Sequence, residues 1–208
     1  MRFFNKVLFI GIVFVGCVHA KDLASIETAI GIGSGILVGE NPEMALPSRF
    51  GWNVSADASL DIPVSERFSL LTGLDLDYLD FRSKIKMTSG NESFEKSDLA
   101  AILNLDVPIL FRAKFGKRFF ASGGIAPSFN ILSKRKKAFE GRNDISGMQK
   151  FNAEIVLEAG IRLPCRFAFG VRFKAPVFET LDIPSEDALL RAFKVQLGIS
   201  RQWGKFSF

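Results

Sequence analysis

Histidine is almost missing from this chain: the one present, His19, falls within the first twenty residues, MRFFNKVLFIGIVFVGCVHA. Those residues carry Arg2 and Lys6, then the apolar run Val7 to Gly16, then the small-residue pattern Val18-His19-Ala20. That is the plan of a secretory signal peptide cut after Ala20. The expected organisation is therefore a cleaved segment over 1–20 and one domain over 21–208. A rival reading takes Phe14 to Cys17 as a lipobox, which would leave a lipidated Cys17. After cleavage at Ala20 the chain has no histidine and a single cysteine, Cys165. An intramolecular disulfide, a histidine-based metal site and a histidine triad are then excluded, and no cofactor or metal is expected.

Other scarcities narrow the class further. The formal net charge is +5, and loss of Arg2 and Lys6 with the leader takes it to +3, too mild to argue for a nucleic-acid partner. Beyond the leader, no apolar run reaches 18 residues, so helical membrane spans are not expected. Tyrosine occurs once and tryptophan twice against 22 phenylalanines, a bias for which the sequence offers no physical account.

What the sequence has in abundance is alternation. From Phe50 to Val64 every second residue is apolar, and the residues between are Gly51, Asn53, Ser55, Asp57, Ser59, Asp61 and Pro63. A period of two means a β-strand with one oily and one polar face. Eight such segments follow one another: 26–38, 50–64, 68–78, 99–115, 119–131, 151–163, 166–177, and one starting at 192. Tight turns join them at 65–67, 116–118 and 164–165. Long polar connections are expected at 39–48, 82–97, 133–150 and 178–191. Long and short alternate throughout, which is the plan of an all-β, eight-stranded, antiparallel up-and-down transmembrane β-barrel. Most segments reach the roughly 9 to 11 residues that a tilted strand needs to cross a bilayer.

An eight-stranded barrel could instead be a periplasmic or lipid-tethered lipocalin-like carrier, with its oily face turned inward around a hydrophobic ligand. The polar parity decides between them. It is rich in Gly, Ser and Asn, and its charges nearly cancel. Glu27, Asp57, Asp61, Asp75, Asp77, Asp106, Glu154 and Glu158 stand against Arg112, Lys114, Arg162, Arg166, Arg172, Lys174 and Lys194. A dry lumen needs such pairing because an uncompensated buried charge is costly; a solvated surface does not. The opposite parity carries Phe, Leu, Ile and Val with almost no charge, as a lipid face requires. The expected lumen ion-pair network comprises Asp57, Asp61, Asp75, Asp77, Asp106, Arg112, Lys114, Glu154, Glu158, Arg162, Arg172 and Lys174.

Two features strain this plan. Pro108 and Pro127 fall in mid-strand, where each removes a ladder donor. With a Gly116-Lys117 turn, position 108 faces 125 and position 127 faces 106, so a shared β-bulge is expected there. In the last strand Arg201 falls on the oily parity, and a slip near Gly204 would restore the phase before Phe206 and Phe208.

The run LNLDVPILFRAKFGKRFFASGGIAPSFNIL, with the later FNAEIVLEAGIRLPCRFAFGVRFKAPV and the terminal KFSF, resembles the outer-membrane β-barrel domain family that includes PorT-like proteins of Bacteroidota, similar in architecture to OmpA/OmpX-type barrels. The resemblance implies a barrel fold and a bacterial outer-membrane location. It carries no invariant functional residue, so it implies no active site and no specific role in gliding or secretion.

The remaining functional candidates are few. Without histidine, an enzyme would have to use carboxylate pairs such as Asp75/Asp77 or Glu154/Glu158 as acid and base, and a salt-bridged lumen accounts for both pairs; no catalytic residues are expected. Lys134, Arg135, Lys136 and Lys137, with Arg142 nearby, form a basic connection that could contact lipopolysaccharide phosphates. Glu179, Asp182, Glu186 and Asp187 make another connection acidic. Eight strands leave an interior just wide enough for side chains, so bulk diffusion is not expected. The reading is a non-enzymatic barrel embedded in outer-membrane lipid, working through its loops or rim on a protein partner the sequence does not name. Cell fractionation separates it from the carrier. The barrel is expected in the outer-membrane fraction, with heat-modifiable migration on a denaturing gel; recovery in a detergent-free periplasmic wash would select the carrier.

Overall fold

The structure, a computed structural model, describes residues 24–40, 49–89, 92–136, 150–178, 180–183 and 188–206, with parts of the outermost strand ends in backbone alone. The leader at 1–20 lies outside them. Among these residues ten strands run in order: β1 (Ala24–Glu40), β2 (Arg49–Pro63), β3 (Phe68–Ser89), β4 (Glu92–Asp106), β5 (Ile109–Phe115), β6 (Phe119–Lys136), β7 (Phe151–Arg162), β8 (Phe167–Pro176), β9 (Leu181–Ile183) and β10 (Ala188–Phe206). No helix occurs among the described residues. β4 and β5 occupy one wall position, since β3 and β6 flank both, and among the described residues β9 pairs with β10 alone. Eight positions therefore form an antiparallel meander, closed where β1 pairs with β10.

The facing of side chains matches a wall with lipid outside. Ile30, Phe50, Trp52, Leu74, Phe119 and Leu197 are exposed, Trp52 at 68%, while Asp77 and Asp106 are wholly buried and Lys174 and Lys194 are each 1% exposed. Such polarity would be unstable in water, because it exposes many large apolar residues and buries nine charged ones. In hydrocarbon it is the stable arrangement, and closure leaves no edge with unpaired backbone groups.

The short connections sit at one end. Around the first, Val64 and Ser65 N–H both donate to Phe68 O, at 2.9 and 3.0 Å. At the second, Phe115 pairs directly with Phe119, so Gly116, Lys117 and Arg118 form a three-residue turn. Gly116 takes φ 64 there, a left-handed conformation that glycine adopts without steric cost. At the third, Leu163 N–H donates to Phe167 O at 2.7 Å and Arg166 lies in the turn at φ 65. Arg166 is exposed and does not belong to the lumen, contrary to the expected tally of charges. In barrels of this kind the short turns face the periplasm and the long connections face outward.

Three expectations about the strands need correction. The three-residue turn shifts the hairpin register by one, so Ile125 pairs with Ile109 and not with position 108. The prolines share no bulge. Asp106–Ser128 above the break and Ile109–Ile125 below it keep the same register, and Val107 N–H still reaches Pro127 O at 2.8 Å. Pro108 therefore interrupts one rung without displacing its neighbours. The bulge lies further up, where Leu103 pairs with Leu132 but Asn104 pairs with Asn130. Ile131 is the extra residue, and both Ile131 and Leu132 face outward.

The polar connections are also shorter than expected. β3 continues to Ser89 and β4 begins at Glu92, so most of 82–97 is a β-hairpin standing above the apolar belt. β6 continues to Lys136 and β10 begins at Ala188. Where both faces of a strand meet water the alternation signal fades, yet the neighbouring strand still supplies every ladder partner. In the last strand the register shifts by one between Ser25–Lys205 and Glu27–Gln202, opposite Trp203 and Gly204. Arg201, on the outward parity, lies over the rings of Trp203 at 4.3 Å and Phe167 at 5.4 Å.

Leu74 lies near mid-height on the outward face and is exposed. Leu74→Arg is expected to lower the unfolding free energy in phospholipid vesicles by roughly 2–4 kcal/mol, and Val64→Arg at the barrel end by about 0–1 kcal/mol. Urea titrations of the two variants against the parent chain measure the difference.

Candidate functional site

The lumen gathers its charges by strand parity. Inward positions of β1, β2 and β3 supply Glu27, Asp57, Asp61, Asp75 and Asp77, while β8 and β10 supply Arg172, Lys174 and Lys194. β3 and β8 stand on opposite walls of the closed meander, so their long cations reach across the interior to the acids. Two clusters result, joined by one arginine.

The upper cluster centres on Lys174. Its ammonium is 2.7 Å from Asp106, 2.8 Å from Asp75, 3.0 Å from Asp77 and 4.0 Å from Glu154. Lys194 bonds Asp77 and lies 2.7 Å from Glu154. Asn53 donates to Asp77 and accepts from Gln196, which ties β2, β3 and β10 together beside the cations. Carboxylate oxygens of Asp77, Asp106 and Glu154 approach within 4.8 Å of one another, the spacing of a metal site. The positive charge among them is that of Lys174 and Lys194.

The lower cluster centres on Arg112. Its guanidinium holds Glu27 at 2.6 Å, with Glu158 at 3.6 Å and Asp61 at 3.8 Å, and its Nε donates to Ser122 Oγ at 3.1 Å. The Phe120 ring lies under it, 4.4 Å from centroid to guanidinium carbon. Gly160 makes room for that ring, since a Cβ there would come within 2.7 Å of its edge. Arg162, nearer the end of the barrel, reaches Asp61 at 3.4 Å. Arg172 joins the two levels, lying 2.8 Å from Asp57, 3.4 Å from Asp75 and 3.7 Å from Glu158.

Eleven of the twelve residues in the expected network therefore enter these contacts. Lys114 is half-buried at the periplasmic end and takes no part in the ion pairs set out above. Glu27 and Lys194 are the additions. Acids outnumber cations here, and several carboxylate oxygens, among them Asp61 Oδ1, Asp106 Oδ1 and Glu158 Oε2, have no hydrogen-bond donor among the described residues.

The polar parity alone did not reveal the apolar layers within the lumen. Leu71, Leu110, Ala126 and Val156 form one buried cluster. Leu79, Phe81 and Ile102 are buried toward the outer end. The signal was present, because Leu71, Leu79 and Phe81 share the parity of Asp75 and Asp77. Two lumen cavities have volumes of about 20 Å³ each, room for roughly one water apiece.

Of the expected lipopolysaccharide contacts, Lys137 and Arg142 lie outside the described residues. Lys134, Arg135 and Lys136 belong to the end of β6 and not to a loop, with their backbone paired to Ala101, Ala100 and Leu99.

The lower cluster and Lys174 differ in what a substitution leaves behind. Lys174→Met leaves Asp106 without its cation and takes one of two cations from Asp75 and Asp77, and is expected to cost roughly 3–5 kcal/mol. Arg162→Gln, at a partly exposed position with one pair, is expected to cost about 0–1 kcal/mol. Denaturant midpoints in lipid vesicles, with heat-modifiable gel migration as the measure of folding, check both.

Comparison with known proteins agrees with this architecture. The family described as "Outer membrane protein beta-barrel domain" matches residues 23–182. No curated protein matches the chain. Similar solved structures include Ail, the attachment invasion locus protein of Yersinia pestis, in complex with the heparin analogue sucrose octasulfate. It is 11% identical, covers 86% of this chain and 99% of its own, and has a TM-score of 0.42. Neisserial surface protein A (NspA) is 12% identical, covers 86% and 99% respectively, and has a TM-score of 0.45.

Proposed function

The chain belongs to the outer-membrane protein β-barrel domain family and resides in the bacterial outer membrane, and from that premise we propose that it is a non-enzymatic surface protein with a plugged lumen. Its mature domain would be residues 21–208, released from a signal peptide over 1–20. The observation that carries the reading is the cross-lumen ion network: Lys174, Lys194, Arg112 and Arg172 fill the bore with contacts between opposite walls. Two cavities beside it among the described residues hold about one water each, which supports a plugged bore. The carboxylates that could act as acid and base are engaged with these same cations, which supports a structural role for them.

Interaction then falls to the outer end. The β3–β4 hairpin and the strand ends of β6 and β10 stand above the belt of exposed apolar residues. Lys134 and Lys136 follow the Ile131 bulge, their backbone pairing with Ala101 and Leu99, which pair in turn with Asp80 and Arg82. With Arg135, Lys137 and Arg142, close to them in the sequence, they would offer lipopolysaccharide phosphates a group of cations. The partner contacted beyond the lipid is a second, unnamed protein.

Planar-bilayer recording tests the plug. Reconstituted barrel is expected to show no stepwise conductance, and steady openings would reject the reading. Replacing Lys134 and Lys136 with glutamine is expected to weaken binding to immobilised lipopolysaccharide about 5- to 30-fold at low salt, by the worth of roughly one kcal/mol per cation near an anionic surface. Unchanged binding would remove the lipopolysaccharide contact from the proposal.

A further inference from the structure

The three periplasmic turns end in the same two residues. Arg67-Phe68, Arg118-Phe119 and Arg166-Phe167 each carry the chain from a turn into a rising strand. In each case the arginine carbonyl accepts a backbone N–H from the adjacent descending strand: Lys114 to Arg67 at 2.8 Å, Arg162 to Arg118 at 2.6 Å, and Gln202 to Arg166 at 2.9 Å. One repeated hydrogen bond thus sets all three arginines at the same level around the rim. All three are exposed, and none forms a salt bridge with another described residue. Arg166 is held in the left-handed region that favours glycine, so local backbone preference does not account for an arginine there.

Directly above this ring the wall turns apolar. Phe68, Phe115, Phe119, Leu163 and Trp203 are exposed around the periplasmic end, and Trp203 is fixed by its Nε1 donating to Thr28 Oγ1 at 2.8 Å. Arg201, stacked on Trp203, adds a fourth guanidinium at the same border. Among the described residues of the turns the only acid is Glu66, against Arg67, Lys117, Arg118 and Arg166. A cation one residue beyond an outward aromatic lies at the depth of lipid headgroups. Guanidinium presents paired donors that match phosphate oxygens.

We propose that Arg67, Arg118, Arg166 and Arg201 form a collar that binds the phosphate groups of phospholipids in the periplasmic leaflet. The collar sits at the opposite end of the barrel from the surface proposed above and depends only on the outer-membrane location. Its occupant is the phosphodiester headgroup, with the acyl chains lying along the phenylalanines above. The repeated Arg-Phe step also gives three of the many phenylalanines a place in the fold.

Native mass spectrometry of the folded full chain released from detergent tests this, with phosphatidylglycerol and diacylglycerol of the same acyl chains as probes. Phosphatidylglycerol adducts are expected to survive, and diacylglycerol adducts are not. Each arginine-to-glutamine change is expected to lower phosphatidylglycerol affinity about fivefold, and Arg67→Gln/Arg118→Gln/Arg166→Gln together about a hundredfold. Unheated gel migration establishes that each variant is folded, and the single changes serve if the triple variant does not fold. Equal retention of phosphatidylglycerol by the folded variants overturns the collar and leaves the arginines as a docking edge for an acidic periplasmic protein. Equal retention of diacylglycerol by the parent chain overturns it as well.

Discussion

A β-wall in hydrocarbon has no water to complete its backbone hydrogen bonds, so the β1–β10 seam is the interaction on which everything else depends. The seam runs from Ala24–Phe206 to Glu40–Leu189. Without it two edges would open onto lipid, at a cost of several kcal/mol for each unsatisfied group. Closure at eight positions fixes the bore to side-chain width. Every inward residue must then find its partner within reach of the opposite wall.

That reach explains which residues were chosen. The cations that cross the lumen are Lys174, Lys194, Arg112 and Arg172, all long, while most acids are the short Asp of β2, β3 and β4. Asparagine, glutamine and serine occupy the spaces between. Replacing one buried ion pair with apolar side chains is often neutral in a globular core. Here each cation bridges several acids from different strands, so the pairs act together. Shared contacts of this kind hold the strand order and register, whatever their net energy.

The alternation of residues disclosed the barrel, its turns and nearly all the charged lumen, because period two is a local property that survives without tertiary knowledge. Asp75 and Asp77 announced an interior simply by sharing parity beside Leu74 and Leu76. What alternation could not disclose was anything set by a single residue of offset. The three-residue turn at Gly116 moved the register against position 125, and the bulge moved from the prolines to Ile131, since a bulge is decided by pairing across strands. Strand ends were equally hidden where both faces turn polar, as in the hairpin to Ser89. Apolar lumen layers such as Leu71 and Phe81 carried the right parity but the polarity of the other face.

The Ile131 bulge has a consequence for how this wall can change. One additional residue is absorbed opposite Leu103, so β6 pairs with β4 in one register below it and in a register displaced by one above it. Deleting Ile131 would remove the bulge and leave Leu132 opposite Leu103, with every rung above it keeping its present partner. The wall could therefore lose this one residue with both stretches of the β4–β6 ladder intact.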